Sequence, residues 1–172
     1  RKIHANLNPW AGLVSSRLGI TSSLLWRRTS IEKAGAFDEA LFSSEEYDLL
    51  FRMLKQDASV AYSPGFDARI YFRSESVSKS EDIGKKAGIW TNIFKLRIQI
   101  REYLTGIDQF NGAVRLAWEK YMYSHLVHLK YKFPEVYDRF MPLVNHQLPL
   151  YFVLRHLGSR ELRRLIKRFY HD

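Results

Sequence analysis

The sequence predicts an α/β segment, built from a mixed sheet and two helices, followed by an all-α region. Three observations carry this expectation. Across residues 66–73, apolar Phe66, Ala68, Ile70 and Phe72 alternate with Asp67, Arg69, Tyr71 and Arg73, the period of a strand with one buried face. Residues 29–52 carry the caps and apolar spacing of two short helices. From Ile83 onward the pattern is helical throughout.

Residues 1–19 show no sustained period and contain Asn8-Pro9 and two glycines, so an irregular segment is expected. Residues 20–28 have the length and content of a strand that ends in Arg27 and Arg28. Trp26, inside it, reads either as core or as an indole placed to stack on a sugar ring. Thr29 and Glu32 stand at capping-box spacing, and Gly35 can take the left-handed conformation that stops the helix they begin. Ser43 and Glu46 repeat the box. Tyr47, Leu50, Phe51 and Leu54 then follow at i, i+3, i+4 and i+7, which gathers Glu45, Glu46 and Asp48 at the mouth of the second helix.

Residues 58–62 and 66–73 are two candidate strands joined through Ser63-Pro64-Gly65. The polar, serine-rich residues 74–80 read as a linker, giving one domain over residues 1–80 and a helical domain over 81–172. A long helix from Ile83 is expected to end at Gly106. Asp108 is a candidate cap for the next, with Phe110, Ala113, Val114, Ala117 and Tyr121 on one face and a stop before Pro134. Shorter helical pieces follow, punctuated by Pro142, Pro149 and Gly158. The last places Leu162, Leu165, Ile166 and Phe169 opposite Arg160, Arg163, Arg164, Lys167 and Arg168.

The 172 residues suffice for a sizeable core. The absence of cysteine excludes disulfides, thiolate metal sites and cysteine nucleophiles, and is compatible with a reducing compartment. The net charge of +9 is uneven: residues 1–80 hold 11 Lys and Arg against 9 Asp and Glu, residues 81–172 hold 16 against 9. A basic surface therefore belongs to the second half, where a phosphate-bearing substrate, an anionic membrane or a nucleic acid are its candidate partners. Nucleic acid is disfavoured, because no recognised motif is present and the aromatics sit on apolar faces. No apolar run has the length of a membrane span and no signal-peptide pattern is present. A chain that opens on Arg1 is expected to be part of something longer.

The stretch Gly35-Ala36-Phe37-Asp38-Glu39, then Glu45-Glu46-Tyr47-Asp48-Leu49, then Arg52, resembles the family 2 (GT-A fold) glycosyltransferases. There the corresponding residues commonly read as a glycine pair, Phe-Asp-Glu, an acidic pair before Tyr or Trp, and an arginine in the same helix. Tyr71-Phe72-Arg73-Ser74-Glu75-Ser76-Val77-Ser78 is similar to that family's closing strand and serine tail. The likeness covers about residues 20–80.

The resemblance implies the C-terminal, acceptor-side part of a Rossmann-like nucleotide-sugar transferase, followed by a helical extension. It implies an inverting transfer in which an acceptor hydroxyl attacks the anomeric carbon of a nucleotide sugar and a nucleoside diphosphate leaves. Glu46 falls where the family usually has an aspartate base, and a helix N-terminus favours an ionised carboxylate. Glu45 is implied to orient acceptor or base, and Asp38, Asp48, Trp26 and Arg73 to lie around the substrates. Asp48 also stands at i, i+4 from Arg52, spaced to pair with it. Arg73 takes the place of a metal-holding histidine, where it could neutralise diphosphate charge.

A divalent cation, Mg or Mn, is implied with its main ligands outside this chain, since no Asp-x-Asp is present, and the chain alone is expected to be inactive. Implied partners are the nucleotide-sugar donor and a saccharide or lipid-linked acceptor in polysaccharide or glycolipid synthesis. No Gln-x-x-Arg-Trp tract is present, which points to single-sugar addition. A cytoplasmic location is expected, with residues 159–172 touching an anionic inner leaflet or lying as a solvated amphipathic helix. The acidic mouth also has a purely structural reading, as helix capping. His125 and His128 have no third ligand at convincing spacing. A different class of function is open: a non-catalytic basic module that binds a membrane or protein partner through residues 83–172.

Overall fold

Asn8 and Pro9, expected in an irregular segment, begin a helix. In the computed structural model, which describes residues 8–63, 82–144, 148–149 and 152–153, α1 spans Pro9–Val14. The Asn8 side chain accepts hydrogen bonds from the N–H groups of Trp10 at 2.9 Å and Ala11 at 3.3 Å, and Pro9 takes the first helical position. Asparagine satisfies first-turn donors, and proline there has no donor to lose.

The expected strand at residues 20–28 does not form. Thr21–Ser23 is a 3-10 turn, in which the Ile20 N–H donates to Ser23 Oγ at 3.0 Å and that hydroxyl donates back to the Ile20 carbonyl at 2.9 Å. Serine side chains offer the backbone a local partner that competes with a ladder. Residues 58–62 are irregular as well, and no strand occurs among the described residues. The α/β, Rossmann-like expectation is therefore corrected: the described residues form helices and connections. A single extended segment cannot pair its own N–H and C=O groups, and these two have no strand beside them among the described residues. Residues 66–73, the serine-rich 74–80 and the basic 159–172 lie outside the described residues.

Helix α2 covers Arg28–Lys33 and α3 covers Glu45–Leu54. Neither expected capping box is made. Arg27, not Thr29, caps α2, and Glu32 instead receives Arg28 Nε at 2.7 Å on an exposed face. Ser44, in the left-handed region at φ 67°, caps α3 through its backbone, while Ser43 Oγ is buried and has no hydrogen-bond partner among the described residues. The apolar stripe of α3 is as expected, with Tyr47, Leu50, Phe51 and Leu54 all buried. A second stripe, Leu49 and Met53, packs with Ala34 against Trp26, Ile31 and Ala58. Helix α3 is thus buried on two sides.

Helix α4, Ile83–Gly106, begins at Asp82, whose side chain accepts from the Lys85 N–H at 2.9 Å. It ends at Gly106 as expected. Its residues Phe94, Arg97, Ile100 and Leu104 are buried at i, i+3 and i+4 spacing. Tyr103 meets Phe51 of α3 and Trp10 of α1, with ring centroids 5.7 and 5.8 Å apart. Asp108 does not cap the next helix. It sits at φ 55° in the connection, and α5 begins four residues later, over Gly112–Leu129. The buried face of α5 is Val114, Trp118, Met122, Leu126 and Leu129, rotated from the expected one.

The chain divides into two compact units, Arg1–Trp118 and Glu119–Asp172, and the division falls within α5. In the first unit the Trp118 indole donates to the Arg97 carbonyl at 2.8 Å. In the second, Pro134 and Pro142 open structure rather than merely stopping it: α6 covers Pro134–Phe140, and Met141–Leu143 follows as a 3-10 turn. Phe133, Val136, Phe140 and Val144 are buried there. No helix among the described residues is long and apolar enough to cross a membrane.

Candidate functional site

The acidic mouth of α3 lies in the first unit and is built by the turn that joins α2 to α3. Helix α2 ends at Ala34, after which Gly35 at φ 82° and Ala36 at φ 56° both take the left-handed region and reverse the chain. Glycine enters that region freely, whereas alanine is strained there. Arg52 holds the strained pair in place. Its Nη1 donates to the Ala34 carbonyl, its Nη2 donates to the Ala36 carbonyl at 2.7 Å, and its Nε donates to Asp48 Oδ2 at 2.9 Å. Gln56 adds a bond from its side-chain amide to the Lys33 carbonyl at 3.1 Å. One guanidinium therefore caps the end of α2 and neutralises Asp48.

Beyond Ala36 the chain makes a second tight feature. Asp38 Oδ1 accepts the Ala40 N–H at 2.9 Å, and its carbonyl accepts the Leu41 N–H at 3.2 Å. Phe42 then turns onto α4 at Gly88. Ser44 leads into Glu45 and Glu46, half-buried in the first turn of α3. Behind them Tyr47 is anchored twice: its hydroxyl donates to the Gly19 carbonyl at 2.9 Å, and the Arg97 guanidinium lies 5.0 Å from its ring centre. Arg97 is 1% exposed and donates to Ser16 Oγ at 2.5 Å, so α3, α4 and the connection that follows α1 meet at the base of the mouth.

These contacts sort the sequence candidates. Glu45, Glu46 and Asp48 share the first turn of α3, but their commitments differ. The Asp48 carboxylate is occupied by Arg52, whereas Glu45 and Glu46 make no hydrogen bond or ion pair among the described residues. Asp38 spends one carboxylate oxygen on its own turn. Trp26 is part of the α2–α3 packing, edge-on to Phe37 at 6.2 Å and 68°, rather than at the mouth. Arg73 lies outside the described residues.

Phe42, Gly88 and Arg97 are not marked as site residues by the sequence. A glycine inside a helical pattern is the available signal for the second of these. Among the described residues no three carboxylate or histidine side chains stand together to hold a metal ion. The divalent cation implied by the resemblance has no such group of ligands among them. Comparison with family models, with curated proteins and with solved structures finds no match.

Proposed function

We propose that this chain supplies the acceptor side of an inverting, nucleotide-sugar-dependent glycosyltransferase, with Glu46 as the base. What supports this reading is the division of labour at the mouth of α3: Asp48 is tied up by Arg52 while Glu46, two residues before it, is uncommitted among the described residues. A base has to keep lone pairs available for the proton that it takes, and a carboxylate already paired to a guanidinium is poorly suited to that.

In the proposed step an acceptor hydroxyl gives its proton to a Glu46 carboxylate oxygen. The hydroxyl oxygen forms a bond to the anomeric carbon as the bond from that carbon to the diphosphate oxygen breaks. The nucleoside diphosphate leaves with the electron pair. Glu45, next to Glu46 in the sequence, accepts a hydrogen bond from a second hydroxyl of the acceptor and so orients the sugar.

The test is Glu46→Gln in a polypeptide that carries both donor and acceptor sides. Glutamine keeps the shape and loses the basicity, so kcat is expected to fall by about 10²- to 10⁴-fold, the usual span for a positioned base. Donor affinity, measured calorimetrically, should stay within about two-fold of the parent. A kcat within a few-fold of the parent would remove Glu46 from the chemistry and with it the main support for a transferase.

A further inference from the structure

Gly88 lies inside α4, where alanine would favour the helix more than glycine does. Its surroundings account for the exception. A Cβ placed on Gly88 would stand 3.0 Å from Phe42 Cζ and 3.6 Å from Cε2, tighter than an ordinary contact, so the ring tip would have to give way to a side chain there. Phe42 is 51% exposed and makes this contact from within the connection that delivers Glu45 and Glu46. Two further residues of that connection, Ala36 and Ser44, are in the left-handed region, so its path departs from regular backbone at both ends.

We propose that Gly88 is a positioning residue for the acceptor site: its bare backbone is the seat of Phe42, and this contact sets the approach of the chain into α3 and thereby the placing of Glu46. The inference rests on the acceptor-side reading of Glu46. It goes beyond that reading by giving a residue 42 positions downstream of Glu46 a part in the geometry of the site. Between Phe42 and Glu46 only three residues intervene, so a shift of the Phe42 backbone has a short path to the first turn of α3. Carbon atoms at rest stand roughly 3.5–4.0 Å apart, so Gly88→Ala asks the ring tip to move by only a few tenths of an ångström and Gly88→Val by more. A misplacement of about 1 Å can cost about 10²-fold in rate.

The experiment compares Gly88→Ala, Gly88→Val and Gly88→Val with Phe42→Leu in the polypeptide used for Glu46→Gln. Three quantities are read: kcat against donor KM, the melting temperature, and hydrogen exchange at the Leu41 and Asp48 amides. The expected result is a kcat lowered by no more than about two- to three-fold in the alanine variant and by about ten-fold or more in the valine variant, with donor KM unchanged. The melting temperature of Gly88→Ala stays level or rises, because alanine is the better helix former. Adding Phe42→Leu, which replaces the ring by a smaller side chain, restores a large part of the valine loss.

Full kcat in Gly88→Val, in an enzyme that Glu46→Gln disables, would overturn the inference and leave the transferase reading standing. So would a loss of activity that parallels a lowered melting temperature and is unrelieved by the second substitution. If Glu46→Gln is without effect, the transferase reading and the positioning role fall together. Exchange at Leu41 then reports on the contact itself: faster exchange in Gly88→Val keeps the seat as a structural device, and unchanged exchange removes that too.

Discussion

Arg52 is the side chain on which the α2–α3 turn depends, and its replacement gives the sharpest check on the geometry described. Arg52→Met keeps the aliphatic stem against α3 and removes the guanidinium. Two hydrogen bonds from a charged donor to the Ala34 and Ala36 carbonyls are lost, each of a kind that contributes about 1.5–3 kcal/mol. The pair with Asp48 goes as well. With roughly a quarter of the Arg52 side chain and a fifth of that of Asp48 exposed, an i, i+4 pair of this sort adds about 0.5–1 kcal/mol. The contributions are not independent, so about 3 kcal/mol is expected in total, a little below the low end of their sum.

The loss is local. The turn at Gly35 and Ala36 should open about 100-fold more often, while the buried face of α3 keeps its packing. Native-state hydrogen exchange at the Ala36 amide, which donates to the Ile31 carbonyl at 2.9 Å, reads that opening directly. Arg52→Lys keeps a charge for Asp48 but reaches the two carbonyls with one ammonium in place of a planar fork, and should recover only about 1 kcal/mol. Protection at Ala36 that stays within about two-fold of the parent in Arg52→Met would refute the clamp. Full recovery with lysine would show that charge alone, and not the fork, holds the turn.

Two more outcomes follow from backbone geometry. Ala36→Gly should stabilise the first unit, since alanine at φ 56° carries about 1–2 kcal/mol of strain and glycine gives back about 0.4–1 kcal/mol through the unfolded chain. A urea midpoint that falls would contradict this. Asn8→Ala should lower stability by about 1 kcal/mol, because the first turn of α1 loses the acceptor for the Trp10 and Ala11 N–H groups. A shift in midpoint with unchanged slope in urea is the expected signature, and no shift would show that water replaces the cap at no cost.

The helices with strong apolar spacing are legible in the sequence, and the extended segments are not. Tyr47, Leu50, Phe51 and Leu54 announce α3, and the long helical run from Ile83 to a glycine announces α4, because a 3.6-residue period is a local property. The strands expected at residues 20–28 and 58–62 rest on composition. A strand exists only if another lies beside it, which is a property of the whole chain. Asn8-Pro9 reads as a breaker although the same pair is a sound helix start, and α1 is hidden for that reason. The two capping boxes have the right spacing, but Glu32 finds Arg28 and Ser43 turns inward.

At the candidate site the acidic cluster and the Asp48–Arg52 pair can be read from spacing alone. The parts that bind it to the rest cannot. Arg52 reaches back 16 and 18 residues to the carbonyls of Ala36 and Ala34, and Tyr47 reaches back 28 to that of Gly19. Backbone carbonyls carry no residue identity, so no pattern of side chains marks them beforehand. Trp26 shows the same limit from the other side: an exposed or a packed indole has one and the same letter, and only the seam with Ala34, Leu49 and Met53 decides between them.

The bond between Arg97 and Ser16 closes a loop of 81 residues, and that span bears on how the first unit is made. At a synthesis rate of about 5–20 residues per second, α4 follows α1 out of the ribosome by roughly 4–16 seconds. Helices α1, α2 and α3, with the Trp10–Phe51 contact between α1 and α3, are complete before the helix that packs on both arrives. For about 2.5–10 seconds of that interval Tyr47 and Phe51, which face α4 in the finished unit, have no Arg97 or Tyr103 to cover them. Contacts so distant along the chain slow a helical protein, whose neighbours are usually close in sequence. The nascent chain thus spends seconds with its aromatic face only partly covered, by Trp10, and its yield should be sensitive to holding chaperones in a way that the mature unit's stability is not.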